Sequence, residues 1–396
     1  MSGRWKAVAA AMFCCGWGGN QFTPLLVMYR EAGWSVLTVD ALLGAYVLGL
    51  VPGLLLAGGL SDRHGRKPVM LAGTVLSLVA SLLLALGTLG AGWIAVGRFV
   101  TGVGVAVAMA VGSTWVKELS ELGADAGPGA GARRAALWLT LGFALGAGVA
   151  GVLAQWGPRV WAGGPMAFPY LVHVVLTAVA LPFLTRAPET RIAAAGGGRL
   201  TGVRHPRFRR VIMPMAPWVF GASGVAYAIL PQLVGDRLGT WGLAYSTLVT
   251  VCTLGAGALV QPLAKRLDRT TSARAVVVSM VVMSVGLAVS AVAAEVRSPW
   301  LALGAATVLG AAYGIAVVSG LLELQRLARP DELAGLTGAY YALAYVGFLV
   351  PSLLAVLSGV ASYPVLLGCL ALVALAGTAV IVRHSHAHLP SASVSV

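Results

Sequence analysis

Stretches of about 20 apolar residues follow one another along nearly the whole chain, separated by short polar connections. Twelve can be drawn, at roughly 7–29, 38–61, 68–89, 92–115, 135–156, 165–185, 211–233, 242–264, 272–294, 299–321, 333–356 and 361–382. Each predicts a helix that crosses a bilayer, because lipid offers no partner for backbone N–H and C=O groups and a helix satisfies them internally. A helix at the surface of a soluble domain would carry a charged outer face. These segments do not: all 13 Asp and Glu fall in connections or at segment ends, Asp40 reading as a helix cap, and only Arg98 of the 27 Lys and Arg lies well inside. The pattern predicts an all-α polytopic membrane protein with 12 transmembrane helices.

The longest connection, 186–210, holds APET, AAAGGG and an arginine-rich end, and reads as a linker. It divides the chain into an N-terminal six-helix bundle, 1–185, and a C-terminal one, 211–382, followed by a disordered tail at 383–396. GGLSDRHGR at 58–66 aligns with QPLAKRLDR at 261–269 at an offset of 203, so Arg66 matches Arg269. Glu118 matches Glu323 at an offset of 205. Two such repeats around a central cavity form the architecture of many secondary transporters.

Composition agrees, at 58% hydrophobic residues and a mean hydropathy of +0.87. The formal charge of +14 matters through its distribution. With a cytoplasmic N-terminus, 22 of the 27 Lys and Arg fall on cytoplasmic connections and four, Arg30, Arg159, Arg237 and Arg297, on the opposite side. The positive-inside rule therefore places both termini in the cytoplasm, and the basic balance needs no nucleic-acid partner. The four cysteines lie inside predicted spans without CxxC spacing and read as small hydrophobes. The bias to Arg, Ala, Gly and Val suggests a GC-rich bacterial genome, hence a multi-pass protein of the bacterial inner membrane. No HExxH, GxSxG, P-loop or paired-carboxylate spacing occurs, so neither an enzyme nor a cofactor is expected. The tail RHSHAH alternates His384, His386 and His388, a weak metal pattern where no metal is expected.

One connection is unusually charged. In GGLSDRHGRKPVM, 58–70, Asp62, Arg63, Arg66 and Lys67 fall between two apolar segments. Gly65 permits a tight turn, and Gly58 and Gly59 permit another helix to come close. Gly58, Leu60, Asp62, Arg63, Gly65, Arg66 and Lys67 match G-x-L-x-D-R-x-G-R-K, and the chain thereby resembles the major facilitator superfamily. GRFVTGVG, with Arg98 through Gly104, resembles the family's fourth-helix motif. GFALGAGVAG, 142–151, resembles the fifth-helix motif of its exporters, with Ala147 for the usual proline and Ala150 for a late glycine.

The resemblance implies two halves that rock about a midplane site, and a latch between them. Asp62 would lie opposite the N-terminus of the eleventh helix, where RPDELAG offers Asp331 as a cap. Arg63 or Arg66 could pair with Glu118, and Arg269 with Glu323. Arg98 should face a cavity or a polar partner, since an arginine at a helix centre costs roughly 2.5–3.5 kcal/mol on insertion scales. Asn20 and Gln21 are candidate partners, and they stand where many proton-coupled drug exporters of the family have an acid. His173 is the one titratable imidazole inside a segment, and serves equally as a packed residue.

Helical spacing puts Phe13, Trp17, Asn20 and Pro24 on one face of the first helix and Thr337, Tyr341, Tyr345 and Phe348 on one face of the eleventh. The seventh offers Trp218 and Tyr227 among Pro214, Pro217, Gly221 and Gly224, which favour a flexible or broken helix. These aromatics suit an amphipathic organic solute, neutral or anionic, and serve equally as core packing or an interfacial belt. Gly142, Gly146, Gly148 and Gly151 are expected to seat a neighbouring helix. The expected function is secondary transport by a monomer, with export of a drug or metabolite coupled to protons. Import or facilitated passage of a polar nutrient, and a non-transporting sensor or partner subunit, are the alternatives.

Overall fold

The structure, a computed structural model, describes residues 4–121, 130–157, 164–190, 201–327, 333–387 and 389. It divides into two compact units. The first is Met1–Gly197 with Thr240–Val251, the second Gly198–Gly239 with Cys252–Val396. In chain order the first eight helices are α1 (Arg4–Asn20), α2 (Leu26–Glu31), α3 (Val36–His64), α4 (Arg66–Ala85), α5 (Ala91–Val107), α6 (Ser113–Glu121), α7 (Ala130–Trp156) and α8 (Gly164–Thr185). The others are α9 (Met213–Gly224), α10 (Leu230–Leu233), α11 (Gly242–Leu259), α12 (Gln261–Leu267), α13 (Arg274–Val296), α14 (Pro299–Leu327), α15 (Leu333–Val346), α16 (Val350–Leu357) and α17 (Tyr363–His384).

Among the described residues, 11 helical stretches are long and apolar enough to cross a membrane. The expected first span, 7–29, is not one of them. Its helix stops at Asn20 and resumes through a 3-10 turn at Thr23–Leu25, because Pro24 has no N–H to give to a continuing α-helix. Other helices outrun their apolar segments. The fourth runs from Ala91 to Glu121 through a π-turn at Ala108–Gly112, so Glu118 lies inside it rather than after it. Backbone hydrogen bonding continues past the apolar run, where the polar side chains find partners such as Arg66 for Glu118.

The seventh segment does not break at its prolines and glycines. It stays helical from Phe208 to Leu233, with π-turns at Phe208–Ile212 and Val225–Ile229 absorbing the irregularity. Asp40 is not a cap either. Ser35 caps α3 by accepting from the N–H of Thr38, at 3.1 Å, and Asp40 is buried and ion-paired to Arg30 at 2.5 Å. The tail expected from 383 begins later. α17 includes Arg383 and His384, and Ser385 and His386 are tied to the turn before α13 through the N–H of Ala273 and the carbonyl of Thr271.

Helices approach closely where glycine allows it. A Cβ on Gly142 would collide with the backbone of Phe13, and one on Gly146 would lie 2.6 Å from the Cα of Trp17, which seats α7 on α1. Gly151 meets Thr247 within the first unit, whereas a Cβ on Gly148 would have only Val251 at 3.4 Å. Gly58 and Gly59, expected to admit a close neighbour, have no atom within 4 Å of an added Cβ among the described residues.

Candidate functional site

The charged connection between α3 and α4 folds around one guanidinium. Gly65, at φ +104°, reverses the chain in a backbone region that disfavours a side chain. Arg66 then turns its side chain back. Its Nη1 reaches Asp62 Oδ1 at 2.5 Å and donates to Ser61 Oγ at 3.0 Å, and its Nη2 reaches Glu118 Oε1 on α6 at 3.1 Å. Of the two candidate partners for Glu118, Arg66 takes the place; Arg63 is exposed and Lys67 half-buried. Asp331 lies outside the described residues.

The stretch expected to be linker completes this cluster. Glu189 accepts the N–H of Arg66 at one carboxylate oxygen and the N–H of Lys67 at the other, both at 2.9 Å. A carboxylate thus neutralises the positive N-terminus of α4 and two of its free donors. Thr190 donates to Glu118 at 2.5 Å, and the indole N–H of Trp115 donates to the carbonyl of Pro188 at 3.1 Å. The local signal was an N-terminus at Arg66 with no Ser, Thr, Asp or Asn to cap it. The capping acid is 123 residues away.

The second unit does not repeat the expected pair. Glu323, 1% exposed, is gripped by Arg207, 0% exposed, with Nε–Oε2 at 2.7 Å and Nη2–Oε1 at 3.0 Å. Arg326 joins from the next turn of α14 at 3.3 Å and also pairs with Asp268. Arg269, expected to hold Glu323, instead bridges to the backbone of Ser272. α12 ends at Leu267, which leaves Asp268 rather than the following arginine turned to α14. Arg207 lies in the stretch expected to be linker, and its Nη1 also donates to the carbonyls of Ser385 and Ala387, at 3.1 and 2.9 Å.

Arg98 is 1% exposed. Its guanidinium lies between the rings of Phe22 and Tyr46, 4.7 and 4.6 Å from their centroids. It donates to the carbonyls of Gly19, at 3.2 Å, and Leu42, at 3.4 Å. Its sequence-expected partners bond elsewhere. Asn20 donates to the carbonyl of Phe143 and accepts from Thr23, and Gln21 donates to Ser81. Both amides are near enough along the chain to have served, but α1 ends at Asn20 and exposes the carbonyl of Gly19 instead. Trp17 packs edge-on against Phe13, centroids 5.9 Å apart, with its indole N–H buried and unbonded among the described residues.

The second unit's aromatics converge on Phe220, which sequence reading missed. Phe220 stacks on Tyr345 at 4.0 Å and 17°, and on Phe348 at 5.1 Å. Tyr313 of α14 approaches from the side at 5.7 Å. Tyr341 lies 6.5 Å from Tyr345, and Tyr227 lies 6.2 Å from Phe348. Trp218 points elsewhere, to α17, its Nε1 3.9 Å from where a Cβ on Gly377 would be. The spacing of seven between Phe220 and Tyr227, two helical turns, was the available signal.

No group of three or more metal-ligating side chains occurs among the described residues, and His388 lies outside them. All four cysteines are free thiols. Apolar helices of spanning length, with arginines buried against carbonyls, rings and carboxylates, mark a polytopic membrane protein. The chain belongs to the Major Facilitator Superfamily, whose family model matches residues 7–352. It is 30% identical over 214 residues to the multidrug transporter MdfA of Yersinia pestis bv. Antiqua, an alignment covering 53% of this chain and 48% of that one. The chain thus spans about half the length of this curated relative. Its fold is that of the nucleoside transporter NupG, with a TM-score of 0.72 at 14% identity over 95% of this chain and 98% of that one. It is also that of a D-xylose-proton symporter, with a TM-score of 0.69 at 16% identity over 94% and 96%.

Proposed function

We propose that this transporter exports a small organic solute across the bacterial inner membrane in exchange for protons, by alternating access. In this reading 1–185 and 211–382 are the two six-helix halves, 186–210 joins them, and both termini are cytoplasmic. The observation that carries the reading is Arg98, buried between Phe22 and Tyr46. Insertion scales set a cost of about 2.5–3.5 kcal/mol for such a residue, and intramembrane ionisable groups mark transport pathways. The multidrug relative supports the choice of export. The cluster of Asp62, Arg66, Glu118 and Glu189 is the gate. Within the second unit, Tyr227, Tyr341 and Tyr345, with Phe220, contact the solute; within the first, Trp17 does.

The test is accumulation of radiolabelled chloramphenicol, a neutral amphipathic solute, in bacterial cells. Cells overproducing the protein should accumulate less than vector controls, and a protonophore should erase the difference. Greater accumulation in the overproducing cells would make the protein an importer. Equal accumulation of chloramphenicol and of a panel of unrelated antibiotics would favour a non-transporting role.

A further inference from the structure

The first unit contains a buried imidazole that nothing above uses. His173 of α8 is 0% exposed, and both ring nitrogens are engaged. Nε2 lies 2.8 Å from the carbonyl of Cys14 on α1. A carbonyl only accepts, so Nε2 carries a hydrogen. Thr177, one turn along α8, is 3.1 Å from the same nitrogen. Nδ1 lies 2.7 Å from the hydroxyl of Ser81 on α4. Ser81 in turn receives the side-chain N–H of Gln21, at 2.8 Å. The hydroxyl oxygen can accept twice, but its hydrogen needs an acceptor, and with Gln21 donating to Ser81 that acceptor is Nδ1, so the ring is neutral. The other end of the amide, Gln21 Oε1, is buried and has no partner among the described residues.

We propose that His173, Ser81 and Gln21 form a proton-binding site whose occupancy is read by the orientation of the Gln21 amide. A proton from water adds to Nδ1, and one positive charge appears. Nδ1–H then donates to Ser81, whose hydroxyl hydrogen must turn away and find an acceptor. Rotating the Gln21 amide by half a turn supplies Oε1 at that place. The unpartnered end of the amide exchanges one unsatisfied atom for another, so the proton on Nδ1 decides between the two orientations.

The groups that face the ring are neutral or cationic, so hydrogen bonds alone must hold this charge. α1 presents the thiol of Cys14, whose Sγ is 4.0 Å from the carbonyl of Leu176, and the buried thiol of Cys15. α4 presents Ser77 and Ser81, and its cations Arg66 and Lys67 belong to its first turn. On α8 itself, the hydroxyl of Tyr170 is 2.8 Å from that of Tyr29 on α2. α7 carries Arg133 and Arg134 in its first turns. Arg98 reaches α1 at the carbonyl of Gly19, and a Cβ on the preceding Gly18 would be 3.1 Å from His173 Cε1. A proton on His173 therefore sets a positive charge against Gly18, next in sequence to the residue whose carbonyl holds Arg98. The amide at position 21 serves as the acceptor for the hydroxyl hydrogen that Ser81 turns away when His173 holds the proton.

This inference rests on the proton-coupled reading, and the experiment separates the two. The full chain, labelled with ring-15N histidine and purified in detergent, is titrated by NMR, with His173 assigned by its loss in His173→Gln. Nε2 should be protonated throughout and Nδ1 should gain its proton in one reversible step. Gln21→Leu removes the acceptor and should move that step about one to two pH units lower. An Nδ1 that stays bare while the protein remains folded, or a midpoint unmoved by Gln21→Leu, overturns the site. In proteoliposomes, chloramphenicol transport driven by an imposed pH gradient tests the reading itself in the wild type. His173→Gln and Ser81→Ala should both lose the gradient-driven component while still binding chloramphenicol. Gradient-driven transport surviving in both variants overturns the proposal and leaves the reading standing. No gradient response in the wild type overturns the reading, and with it this site's part in coupling.

Discussion

The two charged residues with the most to say, Arg98 and Glu189, are held by different physics. Arg98 is sandwiched by two rings and bonded to two carbonyls, so its planar guanidinium matters as much as its charge. Arg98→Ala should reduce transport at least about tenfold with normal membrane abundance, and Arg98→Lys should recover only part of it, since an ammonium cannot stack on both rings. The measurement is chloramphenicol efflux normalised to protein in the membrane. Full activity of the alanine variant would leave Arg98 a packing residue. Glu189 acts on the backbone. Removing an N-cap oxygen costs about 0.5–2 kcal/mol, and this carboxylate takes two N–H groups. Glu189→Ala should therefore lower the detergent melting temperature measurably, with Glu189→Gln between it and the wild type.

Helix packing turns on which glycines meet a backbone. Gly142 and Gly146 set α7 on α1 so closely that no side chain fits, because the opposing atoms are main chain and cannot rotate away. Gly142→Val should cost about 1–3 kcal/mol of overpacking, read as a lower melting temperature and yield. Gly148→Ala, whose added Cβ would meet only Val251 among the described residues, at an ordinary contact distance of 3.4 Å, should stay within about 0.5 kcal/mol of the wild type. The motif at 142–151 gives these glycines equal weight. Which of them faced a neighbouring backbone depended on the rotation of α7, set by everything packed around it.

At the scale of the whole molecule, the buried pair of Arg207 and Glu323 ties the segment before α9 to α14 and, through Ser385 and Ala387, to the end of the chain. Arg207→Met leaves a carboxylate buried with less compensation and should cost about 3–5 kcal/mol. Adding Glu323→Leu should restore much of that loss, though not the bonds to Ser385 and Ala387. Differential scanning fluorimetry of the purified variants measures both, and a double variant no more stable than the single would contradict the pairing. By itself the sequence determined the helical class, the lengths of the apolar segments, the crowded loop at Asp62–Lys67 and the buried position of Arg98. Those follow from local hydropathy, turn chemistry and the cost of charge in lipid, which act over one or a few helical turns. Tertiary structure alone decided that Arg66 rather than Arg63 meets Glu118, that Arg207 rather than Arg269 meets Glu323, and that Gln21 turns from Arg98 to Ser81. Each choice joins residues tens to more than a hundred positions apart, and depends on helix rotation and end position, to which the spacing of residues within one segment is blind.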